Sequence, residues 1–191
     1  MATVSILGKG NMGPAIAGIV EKAGHTAELF DSTDTDKVVT GDIVVLAVPY
    51  PALTQVLADH GDQLAGKVVV DITNPLNFET FDSLTVPADS SAAAELAAKL
   101  PDSRVVKAFN TNFAATLAAG TIDDQPTTVL IAGDDGEAKS RLAEIVTAGG
   151  LRAIDAGALT RARELESLGF LQITLAAGEK IPWTGGFAVV A

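Results

Sequence analysis

Short runs that are apolar at nearly every residue, alternating with segments of helical period, leave this chain few folds to adopt. TVSIL (3–7), DIVVLAVP (42–49), KVVVDIT (67–73), RVVKAFN (104–110) and TTVLIAG (127–133) read as buried strands, and HTAELFD (25–31) and LRAID (151–155) as two more. Between the first two lies a helical spacing of apolar residues at Met12, Ile16, Ile19, Val20 and Ala23. Pro14 stands near the first turn of that helix, and Gly24 stands where a C-terminal cap belongs. ALTQVLADHGDQL, AAAELAAKL and DDGEAKSRLAEIVTAG predict further helices, with 74–90 irregular. Strands buried on both faces and separated by helices define an α/β, doubly wound, mostly parallel sheet. The expected layout is one domain over 1–155, with a C-terminal helix and tail over 156–191 packed on it. In that helix Leu165, Leu168, Leu171 and Leu175 form a stripe, and Phe170 and Ile173 make the other side apolar too, which predicts burial.

The same alternation leads to the chemistry. In an open parallel sheet, ligands bind outside the carboxyl ends of the strands. Here those ends are Gly8–Gly13, Asp31–Thr33, Val48–Tyr50, Thr73–Asn77 and Phe109–Asn112, where Gly, Pro, Asn and Thr collect. The first of them, GKGNMG, has the spacing of a dinucleotide-binding turn. Gly8 allows the tight turn, Gly10 lets the backbone approach a pyrophosphate, and Gly13 permits close packing of helix on strand. Asp31 ends the second strand, where an acid would bond the adenosine ribose. That carboxylate, reinforced by Asp34 and Asp36, favours NAD, whereas Ser32, Thr33, Lys37 and Lys9 are the groups available to a 2′-phosphate.

The inventory of acid–base groups is thin. Cys is absent, which excludes disulfides and thiolate chemistry. His25 starts a strand and His60 ends a helix, so both read as surface or capping residues, and neither an HExxH nor a nucleophile elbow is present. We expect no protein catalytic residue and no metal site. Hydride transfer between two bound cofactors needs orientation and water exclusion more than a protein acid. Thr73, Asn74, Asn110 and Thr111 are placed to hold a carboxamide. Phe109, Phe113 and Trp183 are candidate walls of an acceptor pocket, with core packing the simpler role for Phe113. A net charge of −11 offers no basic stripe to nucleic acid, and no apolar run is long enough to span a bilayer. A cytoplasmic protein is expected, and the apolar last helix and GFAVVA tail are compatible with a homodimer.

GKGNMG, AGH, VPY, DITNPL, VKAFNT and RARELESLGF together resemble the deazaflavin (coenzyme F-420)-dependent NADP oxidoreductase family, over nearly the whole chain. GNMG is shared with pyrroline-5-carboxylate reductases. The resemblance implies a Rossmann sheet binding NADP, with hydride exchanged with a deazaflavin, a flavin or a small imine or carbonyl acceptor. The alternative is a nicotinamide-binding sensor or electron-delivery module that acts with a partner. By motif, Gly8, Gly10, Asn11, Met12 and Gly13 would hold the pyrophosphate, and Ser32 and Thr33 would face the 2′-phosphate, with Lys9 and Asp31 as further cofactor-binding candidates beside them. Val48, Pro49, Asn74, Pro75, Ala108, Phe109 and Asn110 would line the rest of the cofactor site. The chain departs from the family at Asp31–Thr33, where a small residue followed by Ser with Arg or Lys is usual. There the resemblance implies NADP and the residues favour NAD.

Overall fold

The computed structural model describes residues 1–190. In chain order the strands are β1 (Thr3–Leu7), β2 (Thr26–Phe30), β3 (Ile43–Leu46), β4 (Val68–Asp71), β5 (Arg104–Lys107), β6 (Thr121–Ile122), β7 (Gln125–Pro126), β8 (Thr128–Gly133) and β9 (Arg152–Gly157). The helices are α1 (Met12–Lys22), α2 (Leu53–His60), α3 (Ala92–Lys99), α4 (Ala114–Ala119), α5 (Gly136–Ala148) and α6 (Ala162–Ala177). Seven strands form one sheet in the order β2-β1-β3-β4-β5-β8-β9, and β6 and β7 pair with each other as a small hairpin. The order turns back at β1, whose neighbours are β2 and β3, so the glycine turn after β1 opens at the switch point.

Side-chain alternation along the strands builds two cores. Ile6, Val45, Val70 and Val106 point to one face, against Ile16, Ile19 and Val20 of α1 and Leu142, Ile145 and Val146 of α5. Their neighbours Leu7, Val44, Val69 and Val105 point to the other, against Leu53 of α2 and Ala93 and Leu96 of α3. Helices thus cover both faces, which is the doubly wound arrangement. At the end of α1, Gly24 (φ +79°) donates its N–H to the Glu21 carbonyl, and His25 donates to Val20. This paired C-terminal motif is the one expected of that glycine.

Three features depart from the sequence reading. Residues 111–126, to which the pattern assigns no element, hold α4 and the β6–β7 hairpin. Six residues of α4, roughly 9 Å of helix, are too short to return the chain along the sheet, so β8 enters antiparallel to β5 and parallel to β9. The leucine stripe is not the buried face of α6. Ala162, Leu165, Glu166, Gly169, Gln172 and Ala176 face inward, while Leu171 is 49% exposed. His60 is a core residue, 6% exposed, with its ring edge-on to Phe30 at 5.9 Å between centroids.

Candidate functional site

The turn after β1 takes its shape from contacts no other residue would permit. Gly8 lies at φ +126° and donates its N–H to the Phe30 carbonyl at 2.9 Å, tying the ends of β1 and β2. A Cβ on Gly8 would strike the Ala47 carbonyl, and one on Gly13 would strike the Gly8 carbonyl. A Cβ on Gly10 would meet nothing within 4 Å, so this glycine leaves a surface that a ligand can approach. The first turn of α1 carries no acidic residue and no side-chain cap, whereas Ser91 caps α3 and Asp135 caps α5. Together the open approach at Gly10 and the uncapped helix start fit a pyrophosphate lying on backbone N–H groups.

At the end of β2, Asp31 is fully engaged. Oδ1 accepts the Thr33 N–H (2.9 Å) and hydroxyl, and Oδ2 accepts the Lys9 ammonium at 2.9 Å. The Thr33 hydroxyl, the Lys9 ammonium and the Thr33 N–H hold its carboxyl well below the usual carboxylate range. The hydrogen bond to Asp31 raises the Lys9 ammonium in turn. Ser32 and Thr33 are exposed. A cavity of about 140 Å³ opens beside Asp31, lined by Gly8, Ser32, Val48, Val56 and His60 among others. Pro49 is exposed at the following bend and lines neither this cavity nor the larger cleft described below.

At the ends of β4 and β5, Asn74 and Asn110 clasp each other. Asn74 Nδ2 donates to the Asn110 carbonyl at 2.8 Å, and Asn110 Nδ2 donates to Asn74 Oδ1 at 2.9 Å and to the Leu165 carbonyl of α6 at 2.8 Å. Gly169 lets α6 come this close, since a Cβ there would collide with Asn74. Thr73 Oγ1 and Asn110 Oδ1 are buried without a hydrogen-bond partner among the described residues. Such orphaned buried groups are uncommon, and these two lie at the exchange of hydrogen bonds between the ends of β4 and β5. Pro75 is buried next to this clasp, and Ala108 and Phe109 belong to the core. Phe109, 2% exposed with φ +62°, gives its side chain to packing and not to a pocket wall.

Between the glycine turn and α4 lies a cleft of about 820 Å³, lined by Gly10, Asn11, Met12, Phe113 and Trp183 among others. Phe113 is buried, 8% exposed, in keeping with the core-packing expectation, and it also meets Trp183 at 4.9 Å between ring centroids on the wall of this cleft. Lys9 is the one ionisable side chain in the lining. Buried Gln172 of α6 donates Nε2 to the Thr111 carbonyl at 3.2 Å, and its Oε1 accepts the Phe187 N–H at 3.0 Å.

Beneath the Asn clasp lies a cluster that sequence reasoning missed. Lys107 is fully buried; its ammonium meets Asp71 at 2.9 Å, Glu166 at 2.8 Å and the Thr73 carbonyl. Glu166 also accepts the Ala92 and Ala93 N–H groups at the start of α3. Burial pushes the Glu166 carboxyl up, against the pull of Lys107 and the Ala92 N–H. The signal was present: a lysine at the end of an apolar strand is almost never buried unless paired. Nearby, burial and a hydrogen bond to Glu95 push the Tyr50 phenol up to about 12. Among the described residues no group of His, Cys, Asp and Glu is arranged to hold a metal, and no helix is long and apolar enough to cross a membrane.

The chain is similar to known proteins in sequence and in fold. Residues 27–75 match the family model described as NADP oxidoreductase coenzyme F420-dependent. The F420-dependent NADP reductase of Methanocaldococcus jannaschii is 30% identical over 171 residues, covering 87% of this chain and 76% of that protein. The rat metalloreductase STEAP3 is 34% identical over 180 residues, covering 86% of this chain, but the chain spans only 36% of that protein. In fold, the chain superposes on the crystal structure of a candidate F420-dependent NADP-reductase from an Arthrobacter species with a TM-score of 0.86, at 24% identity over 100% of both chains. Together with the glycine turn and the mostly parallel sheet, these matches show that the chain belongs to the coenzyme F420-dependent NADP oxidoreductase family, whose enzymes use NADP and a deazaflavin.

Proposed function

We propose that this protein transfers hydride between the nicotinamide of NADP(H) and a planar acceptor of the deazaflavin or flavin type. The observation that carries this reading is the large cleft beside the glycine turn, walled by Phe113 and Trp183 and holding no carboxylate, imidazole or thiol. When bound, the dinucleotide supplies a hydride donor that needs no protein acid or base. The chain's own part is binding and orientation. The glycine turn and the start of α1 hold the pyrophosphate, and Asn74 with Asn110 fixes the carboxamide. Trp183, 53% exposed and backed by Phe113, offers a flat ring a stacking surface.

Trp183 is the single tryptophan of the chain, which makes its fluorescence a direct report on the cleft. Titration of NADPH-loaded protein with FMN and with a 5-deazaflavin should quench that fluorescence, and one of the two should be reduced in steady-state assays. Replacing Trp183 by Ala should raise the acceptor KM while leaving NADPH affinity within a factor of about two, since one aromatic contact is worth about 1 kcal/mol. The absence of both quenching and turnover with these acceptors would overturn the reading.

The match to one part of a much longer metalloreductase favours a second reading, an NADPH-binding unit that delivers electrons to a partner protein. Tight NADPH binding without turnover, with activity restored by a co-purifying protein, would distinguish it.

A further inference from the structure

The two nicotinamide dinucleotides differ by one phosphate on the adenosine ribose, and the groups awaiting that position here pull in opposite directions. A carboxylate at the end of β2 suits the free ribose hydroxyls of NADH. It opposes a 2′-phosphate, and Asp34 adds a second acid, its Oδ2 accepting the Asp31 N–H at 2.9 Å. Lys9 reaches both, at 2.9 Å from Asp31 and 3.6 Å from Asp34. The other cation at this end, Lys37, is otherwise engaged. Its ammonium lies 4.1 Å from the centre of the Phe30 ring and donates to the Leu29 carbonyl at 3.1 Å.

Lys9 also sits inside the glycine turn, so its backbone is fixed while its ammonium is held by the Asp31 and Asp34 carboxylates. Its side chain and that of Asp31 are both about two-fifths exposed, and an exposed ion pair of this kind is weak and exchanges readily. A phosphate near neutral pH carries more charge than a carboxylate and offers three acceptor oxygens. Thr33, whose N–H and hydroxyl now serve Asp31, supplies the neutral donors a phosphate would also accept.

We propose that Lys9 is the dinucleotide selector: its ammonium leaves Asp31 for the 2′-phosphate of NADPH and stays on Asp31 when NADH binds. Asp31 is then an internal competitor that weakens NADPH and strengthens NADH, so that one site accepts both. This inference rests on the reading that the dinucleotide lies across the glycine turn.

Isothermal titration of NADPH and NADH into the wild-type protein, Lys9→Met, Asp31→Asn and the double variant tests it, with far-UV circular dichroism to check folding. Lys9→Met should weaken NADPH roughly tenfold, the scale of one charged hydrogen bond, and leave NADH unchanged or tighter. Asp31→Asn should tighten NADPH and weaken NADH, and the loss from Lys9→Met should persist in the double variant. Equal losses for both dinucleotides in Lys9→Met would assign the lysine to the shared pyrophosphate and overturn the inference while sparing the reading beneath it. No effect on either dinucleotide would overturn it as well. Failure of the wild-type protein to bind either dinucleotide would overturn both.

Discussion

At the scale of single residues, the glycine turn separates what folding needs from what binding needs. Gly13 is required by the fold, because a Cβ there collides with the Gly8 carbonyl. Gly10 has open space where its Cβ would go, so the free protein has no use for its smallness. Gly13→Ala should therefore lower the melting temperature. Gly10→Ala should leave it within a degree or two and weaken NADPH roughly tenfold, about 1.4 kcal/mol, read by thermal melts and calorimetry side by side. A Gly10→Ala protein that bound NADPH normally would show that the backbone approach is not used. The roles of Gly8 and Gly13 were legible because each follows from a local spacing. The pairing of Lys9 with Asp31 was not, since no local pattern reports a side-chain contact across 22 residues. The same holds for His60, whose burial is set by Phe30 on another element.

At the scale of elements, the buried Lys107 cluster joins β4, β5, α3 and α6 beneath the Asn clasp. Removing one partner of such a group leaves buried charge uncompensated, so Lys107→Met should cost about 3–5 kcal/mol in urea unfolding. The pH dependence has a definite sign. Burial raises the folded-state value of Glu166 above its unfolded one, so this group contributes stability that is present below the ordinary glutamate range and lost as pH rises through the raised value. Glu166→Gln removes that titration. Its stability, followed by urea unfolding from pH 4 upward, should fall less with rising pH than that of the wild type, and parallel curves would refute the assignment. The α6 helix shows why its inward face was misread: hydrophobic periodicity cannot see that a glutamate, a glutamine and a glycine face inward because a buried lysine, two backbone groups and an asparagine await them. The reversal at β8 was hidden for a different reason, since α4 and the hairpin are too short to carry a period.

At the scale of the whole molecule, alternation of buried strands with helices was enough to read a doubly wound sheet, and the switch-point rule then pointed to the glycine turn. Ligand binding there should be felt throughout, because strands β1, β2 and β3 meet at the turn. NADPH at 100 times its dissociation constant should add about 2.7 kcal/mol, a rise of roughly 5–10 °C in melting temperature for a chain of this size. Differential scanning fluorimetry would read it, and a shift with NADPH that Gly10→Ala abolishes would tie the effect to the turn.

The amide of Gln172 holds two chain segments that lead to the walls of the cleft beside the glycine turn. One end holds the loop that leads into Phe113, and the other holds the tail that carries Trp183. The contact between the two rings, 4.9 Å between centroids, is therefore tied at both of its chain segments to one buried side chain. Changing this one helix position would loosen both aromatic walls of the cleft together.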